Sequence, residues 1–273
     1  PVLESCARFC RAYLSEGEDG YLHIVPTVSP EHWGLTADFE RNRDCLSALT
    51  LVKYLFKAAA EAAEILGVDT GEAAEWLRAA VRLVPYPTCQ TDEGPVWGDV
   101  AGAPPIEYNV PVPLANVFWG DDVGLDSAPE VLTLARRTMQ QLRIWKPHSG
   151  YMDSCIRNRL GVWKDRATLQ PENFLVSYQS IHIFPCVPPE GEIAMENFAA
   201  EGGFLVSAVR TADGQVEDLR ILSRLGGLCR VANPWPHREV VVESEGADSV
   251  VAFVPGQAYV EFATQPGCGY EIC

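Results

Sequence analysis

Positive charge is what this chain is short of: 21 Lys+Arg stand against 37 Asp+Glu, a formal net charge of −16. Proteins that grip duplex DNA or an anionic membrane gain affinity by neutralising phosphates with Lys and Arg, so this balance excludes a generic binder of either kind. Long apolar runs are missing as well, and nothing approaches the ~20 residues that span a bilayer. There is no Gly-x-Gly-x-x-Gly segment and no Walker loop, and neither Gly202-Gly203 nor Gly226-Gly227 opens a helical pattern. No elbow motif presents a serine or cysteine nucleophile. His148, His182 and His237 are far apart, and the nine cysteines fall at no zinc-ligand spacing. No metal and no cofactor is therefore expected. Internal repeats and low-complexity segments are lacking too.

What is present is the balance of a globular protein. With 47% hydrophobic and 21% charged residues over 273 positions, the chain suits one large domain or two ordinary ones around a substantial core. The cysteines (Cys6, Cys10, Cys45, Cys89, Cys155, Cys186, Cys229, Cys268 and Cys273) read as small buried hydrophobes plus a free thiol or two. Pro1 opens directly into a helical pattern with no charged and apolar leader ahead of it, so the residues alone assign no compartment.

Helical periodicity dominates the first two-thirds. Val2 to Leu14 places Leu3, Cys6, Cys10, Tyr13 and Leu14 on one stripe. Asp38 to Leu66 is the strongest helical signal, with Leu46, Leu49, Val52, Phe56, Ala59, Ala63 and Leu66 at steps of three and four. Thr36 or Asp38 can cap its start, and Gly67 can close its end. Asp69 with Glu72 forms a capping-box pattern for a helix running to Val84, and so short a connection predicts a helical hairpin. Pro85 to Ser127 reads as a long aromatic loop carrying Trp97, Tyr108, Phe118 and Trp119, of the length that usually serves function. Pro129 to Trp145 and Met152 to Val162 complete the helices. From Ile181 the period changes to two: Phe204, Val206 and Ala208; Leu219 and Ile221; Val240 and Val242; Val251 and Phe253; Val260 and Phe262. Asp213-Gly214 is a hairpin turn, and the remainder reads as an antiparallel β domain.

The most unusual segment is the loop His23-Ile24-Val25-Pro26-Thr27-Val28-Ser29-Pro30-Glu31-His32-Trp33-Gly34. Two prolines stiffen it and Gly34 releases it, so Glu31 is held rather than free. A carboxyl group between a Trp and a His has an apolar neighbour to raise its pKa and a polar one to orient it, which is what a general acid at neutral pH needs. Trp33 also offers a flat face to a sugar ring. The competing reading is a solvated glutamate ahead of a helix, favoured by the helix dipole.

The run from Tyr21 to Leu66 resembles glycoside hydrolase family 95, the inverting α-L-fucosidase type. That family carries a Pro-Ser-x-Ser-Pro-Glu-Asn-like loop and then a long helix ending in Ile-Glu-Ala-Ala-x-x-Leu-Gly-hydrophobic-Asp. Here these read Pro26 to Trp33 and Ala60-Glu61-Ala62-Ala63-Glu64-Ile65-Leu66-Gly67-Val68-Asp69. Downstream, Ile181-His182-Ile183-Phe184-Pro185 looks like the family's exit strand, and Glu201 to Val206 with Ile221 to Trp235 is similar to its C-terminal β domain. The resemblance implies a multi-domain α plus β fold: residues 1–180 as a partial (α/α)6 toroid, followed by an antiparallel β-sandwich over 181–273. It implies hydrolysis of a terminal fucoside or galactoside bond with inversion, a carbohydrate substrate, and an extracytoplasmic location. Glu31 takes the general acid's place, with His32, Trp33, Trp119 and Asn173 as the substrate-binding residues.

In an inverting enzyme the acid faces a base ~6.5–9.5 Å away across the sugar. The family's Asn-x-Asn segment and its downstream His-Pro-Pro-Phe-Gln-Ile-Asp-Gly-Asn-Phe-like segment have no match in this sequence. The closest echo of the latter is Gln170-Pro171-Glu172-Asn173-Phe174. Asp99, Asp121, Asp122, Asp126 and Glu172 are possible substitutes; Asp121-Asp122 fits best by context, against the ordinary reading of such residues as solvated turn carboxylates. About five helices are visible where a toroid needs twelve. The expectation is therefore a truncated portion with Pro1 as an internal start, a shortened span between Leu160 and Ile181, and helical faces open to association. Two other classes stay open. One is a non-catalytic carbohydrate-binding or assembly protein that has lost its base. The other is a toroid glycoside phosphorylase, for which Arg41, Arg43, Arg136 and Arg137 are the available phosphate ligands. Trp235 between two prolines reads either as a β-domain anchor or as a sugar platform.

Overall fold

A computed structural model describes residues 1–30, 32–68, 70–104, 107–144, 150–163, 170–244 and 250–273, with the side chains of residues 70, 144, 150 and 250 left aside. Glu31, Asp69, Trp145 and His148 lie outside the described residues. The chain packs as two compact units, Pro1–Ile156 and Arg157–Cys273, each built around its own core.

The first unit is led by α1 (Val2–Tyr13), α2 (Leu46–Leu66) and α3 (Thr70–Arg82). In α2 the expected stripe turns inward: Leu46, Leu49, Phe56, Ala59 and Ala63 are buried, while Leu66 is exposed. Gly67 ends the helix in the left-handed conformation at φ 62°, its N–H reaching back to the Ala63 and Glu64 carbonyls. Small Ala residues let α3 approach α2 closely, with Ala73, Trp76, Ala79 and Ala80 entering the same core. On α1 the buried residues are Ala7 and, just past its end, Leu14, with Cys10 half-buried. Leu3, Cys6 and Tyr13 of the expected stripe face out. Ion pairs orient this helix: Arg8 is bidentate to Glu72 at 2.8 and 2.6 Å, and Arg11 meets Glu75 at 3.1 Å, both on α3.

Two expected boundaries move. The strongest helix begins at Leu46, not Asp38, because the polar side chains ahead of it bind loop backbone instead of extending the helix. Asp38, Phe39 and Asp44 sit at φ 53°, 55° and 52°, which a continuous right-handed α-helix does not accommodate. Also, the stretch from Pro85 to Ser127 is not all loop. It holds a hairpin of β3 (Thr88–Thr91) with β4 (Gly94–Trp97), then β5 (Glu107–Tyr108) and the single-turn α4 (Ala115–Phe118). The short strands β1 (Ser15–Glu16) and β2 (Leu22–His23) connect α1 to the loop. Helix α5 (Pro129–Gln141) is followed by β6 (Arg143–Ile144), which pairs parallel with β5, and then by α6 (Gly150–Arg159).

The second unit is mixed only at its start, with α7 (Pro171–Phe174) and the pair β7 (Leu175–Val176) and β8 (His182–Ile183). Six antiparallel strands follow as one sheet: β9 (Ile193–Ala200), β10 (Phe204–Arg210), β11 (Val216–Ser223), β13 (Val240–Ser244), β14 (Val250–Phe253) and β16 (Cys268–Ile272), in the order β14-β13-β16-β11-β10-β9. Strands β12 (Gly227–Ala232) and β15 (Tyr259–Thr264) form a separate two-stranded ribbon. Val206, Leu219, Ile221, Val242 and Ile272 of the sheet share one core with Cys229, Val231, Val260 and Phe262 of the ribbon, a sandwich-like arrangement. The period-2 pattern reads these faces well, except that Val251 on the edge strand β14 is exposed. Trp235 is an anchor: it is buried in this core and its indole N–H donates to the Val216 carbonyl at 3.0 Å. None of the nine cysteines forms a disulfide; four of them are buried, and Cys6 and Cys273 are exposed.

A buried ionic contact ties the entry of the first unit together. His23 Nδ1 lies 2.6 Å from Asp44 Oδ2, and Nε2 lies 3.0 Å from Asp19 Oδ1. Both partners accept, so both ring nitrogens donate and the imidazole is charged. Burial alone would pull its pKa down; the bonds to Asp44 and Asp19 outweigh burial and hold it above the ordinary value. Gly17 makes room for the ring, since a Cβ there would stand 2.6 Å from His23 Nε2. A histidine with a raised folded pKa stabilises fully below its unfolded value of ~6.5, and the contribution is lost as pH climbs through the raised value. Chemical unfolding should therefore show stability falling as pH rises above about 6.5 and through the raised value. His23→Gln should cost about 3–5 kcal/mol at the low end and flatten that slope. Equal slopes in both proteins would count against the charged contact.

Candidate functional site

The loop between β2 and α2 is built on two buried side chains. Asp44 takes the Ile24 N–H at 2.7 Å, and its own N–H returns to the Ile24 carbonyl at 3.0 Å. Asn42, fully buried, donates to the Gly34 carbonyl at 2.6 Å and accepts from Thr36 N–H and Oγ at 2.8 and 2.9 Å. Its backbone carbonyl takes the Thr27 N–H at 2.8 Å. These bonds close residues 24–44 into a compact loop whose middle carries Ser29, Pro30, His32 and Trp33. Glu31, the expected acid, lies outside the described residues; Ser29, His32 and Trp33 each make a side-chain hydrogen bond.

The holding group is Asp99, just after β4 and completely buried. Its Oδ2 accepts from Ser29 Oγ at 2.5 Å and from Trp33 Nε1 at 3.0 Å. Burial pushes its carboxyl above the usual carboxylate range, against the opposing effect of those two bonds. Trp33 adopts φ 66° and Gly34 φ 58°, a left-handed pair that turns the chain sharply after the loop. The Trp33 ring packs on Cys45, Val100 and Ala103, and the Arg41 guanidinium sits over it at 5.5 Å. Burial also drives the Cys45 thiol up to about 12, so it serves as an apolar wall rather than a nucleophile. The His32 ring stands edge-on to Tyr108 at 4.9 Å and donates from Nδ1 to the Pro30 carbonyl at 3.0 Å, which leaves Nε2 for another partner.

The remaining expected site residues are Trp119 and Asn173. Trp119 is half-buried at the C-terminal end of α4, where α4 meets α2; a Cβ at Gly120 would stand 2.2 Å from Thr50 Cγ2. Asn173 belongs to the second unit and is buried. It exchanges amide bonds with Asn158 at 2.9 and 3.2 Å and donates to the Cys186 carbonyl at 2.6 Å.

The substitute carboxylates are similarly occupied. Asp122 accepts from Lys53 at 2.6 Å, Lys57 at 2.7 Å and Tyr86 at 3.0 Å. Burial works against its charge, but the two ammonium groups outweigh it and hold the carboxyl below its ordinary range. Glu172 pairs with Arg159 at 3.0 Å and accepts from Tyr178 at 2.5 Å. Asp121 and Asp126 also have partners. Of the arginines considered for phosphate, Arg43 pairs with Asp44 at 3.2 Å and Arg137 donates to the Pro95 carbonyl at 3.2 Å. Asp99 as the loop's anchor and Asn42 as its brace are what local sequence reading missed. Trp33 and Asp99 are 66 positions apart, and no spacing rule joins them.

Residues 1–151 match the family model described as the glycosyl hydrolase family 95 catalytic domain. A curated relative, alpha-L-fucosidase 2 of Arabidopsis thaliana, is 24% identical over 254 residues, which cover 87% of this chain and 29% of that protein. The chain thus spans under a third of that relative's length.

Asp122 as a structural ion-pair centre makes a testable case. Asp122→Asn removes the charge facing Lys53 and Lys57 and should lower unfolding stability by about 1.5–3 kcal/mol, as expected for hydrogen bonds to charged groups. A variant with wild-type stability would show that the carboxylate is free for other work.

Proposed function

This chain belongs to glycosyl hydrolase family 95, and on that premise we propose that it is a glycoside hydrolase acting on a terminal α-L-fucoside or galactoside bond with inversion, using Glu31 as general acid. The helices of the first unit are proposed to be part of an (α/α)6 toroid. The observation that carries this reading is the loop itself. The family match covers it, and Ser29 and Trp33, which flank Glu31 at two residues on either side, share one buried anchor. The sequence neighbours Pro30, His32 and Trp33 support reading Glu31 as the group that protonates a leaving oxygen. His32, with Nε2 uncommitted to Pro30, and Trp33 are proposed to meet the sugar, together with Trp119. The proposal leaves out Asn173, whose amide is spent inside its own unit.

A second reading has an observation in its favour. Asp122 and Glu172 are held in ion pairs, and Asp99 is sealed beneath the loop, so the described carboxylates named as substitute bases are engaged. That favours a carbohydrate-binding protein of the same fold with no turnover.

Assays on methyl and 4-nitrophenyl α-L-fucosides and galactosides separate the two. The hydrolase reading expects Glu31→Gln to lower kcat by about 10²–10⁴-fold on the methyl glycoside. The loss should be smaller on the nitrophenyl one, whose leaving group departs without a proton. Turnover that survives Glu31→Gln on both substrates would sink the assignment. Calorimetric sugar binding with no turnover, unchanged in Glu31→Gln, would establish the second reading.

A further inference from the structure

We infer that Asp99 is a positioning residue for the reacting carboxyl: one of its oxygens fixes both flanks of the turn that carries Glu31. The inference rests on the reading of Glu31 as the acid. Four residues of extended chain reach about 13–14 Å, yet Ser29 and Trp33 are both drawn to Asp99 Oδ2, at 2.5 and 3.0 Å. The anchor is itself fixed, since the Asp99 backbone carbonyl accepts the Leu46 N–H at 2.8 Å where α2 begins. The turn is thereby referenced to the longest helix of its unit.

The choice of a carboxylate over a neutral acceptor is the informative part. Oδ1 of Asp99 is buried and has no hydrogen-bond partner among the described residues. A site built only for stability would avoid such an oxygen, because an unmade buried bond is costly. The titratable groups facing Asp99 are His32 on the loop, Cys45 ahead of α2 and Tyr108 on β5, and the Arg41 guanidinium lies over the Trp33 ring. No lysine or arginine ion pair to Asp99 is formed among the described residues, so nothing competes with Ser29 and Trp33 for Oδ2. The charge state of Asp99 therefore sets how strongly the two flanks are held, and the turn is tightest when the carboxyl is ionised.

The test reads the Trp33 indole proton directly by ¹H–¹⁵N NMR of the full chain, with the signal assigned by its loss in Trp33→Phe. In the wild type this proton should exchange slowly, and its shift should titrate with a midpoint above the ~3.9 of an ordinary aspartate. Asp99→Asn keeps an acceptor oxygen and should retain slow exchange without that titration. Asp99→Ala should exchange at least ~10-fold faster, and Ser29→Ala, which keeps the Trp33 bond, should fall between. A Trp33 indole proton that exchanges equally fast in wild type, Asp99→Asn and Ser29→Ala overturns the inference, even if Asp99→Ala does not fold.

A kinetic arm separates positioning from simple stability. On methyl α-L-fucoside, Asp99→Ala should lose about 10²-fold in kcat with KM changed only a few-fold, the loss expected when a reacting group is displaced by about 1 Å. Asp99→Asn should recover most of that loss and shift the acid limb of the pH–rate profile. A folded Asp99→Ala with wild-type kcat overturns the inference. Absence of turnover in the wild type would sink the hydrolase reading instead, leaving the NMR result to decide the role of Asp99.

Discussion

Asp99 Oδ2 is the point on which the first unit's loop depends. From it, hydrogen bonds run to Ser29 and Trp33 on the loop, and the Asp99 backbone carbonyl reaches Leu46 at the start of α2. Trp33 can hold its left-handed φ of 66° because its indole is bonded to Asp99 at one edge and packed on Cys45, Val100 and Ala103. Asn42 and Asp44 close the remainder of the loop from the other side. The result is a long connection that behaves as a scaffolded element, and a scaffolded loop is where binding and catalytic groups are best carried.

The same economy of charge recurs through the unit. A chain with net charge −16 has few cations, and several of those in the first unit are spent on particular carboxylates. Arg8 and Arg11 bind α1 to α3, Lys53 and Lys57 converge on Asp122, and a charged His23 bridges Asp19 and Asp44. Asp99 is different, a buried carboxylate whose hydrogen-bond donors among the described residues are the neutral Ser29 and Trp33 side chains. That contrast separates the carboxylates doing structural work from the one beneath the Ser29–Trp33 turn. The sandwich-like sheets of the second unit depend on none of this and are held by an apolar core.

How far these features could be read beforehand follows from their range. The β faces were legible because a period of two is a local property, and Val206, Ile221 and Val260 are buried as the alternation requires. The stripe of α2 was legible for the same reason, but its start was not: whether Asp38 caps a helix or lies in a loop depends on Asn42 and Asp44 finding backbone partners 8 and 20 positions away. On α1, apolarity pointed to Leu3, Cys6 and Tyr13, whereas ion pairs to α3 turn Ala7 inward. The Ser-Pro-Glu loop stood out because its stiffness is written in adjacent residues. Asp99 did not, because its partners are 66 and 70 positions distant and a lone aspartate after Trp97-Gly98 carries no local signal.

Whether the Ser29–Trp33 turn carries the sugar chemistry is tested most directly by a structure of the complex. The measurement is a crystal structure of Glu31→Gln with an unhydrolysed methyl α-L-fucoside. The account predicts the sugar seated against the Ser29–Trp33 turn, with its glycosidic oxygen within hydrogen-bond reach of residue 31 and with Ser29 and Trp33 still bonded to Asp99. A sugar bound away from that turn, or a turn released from Asp99 when the sugar is in place, would contradict it.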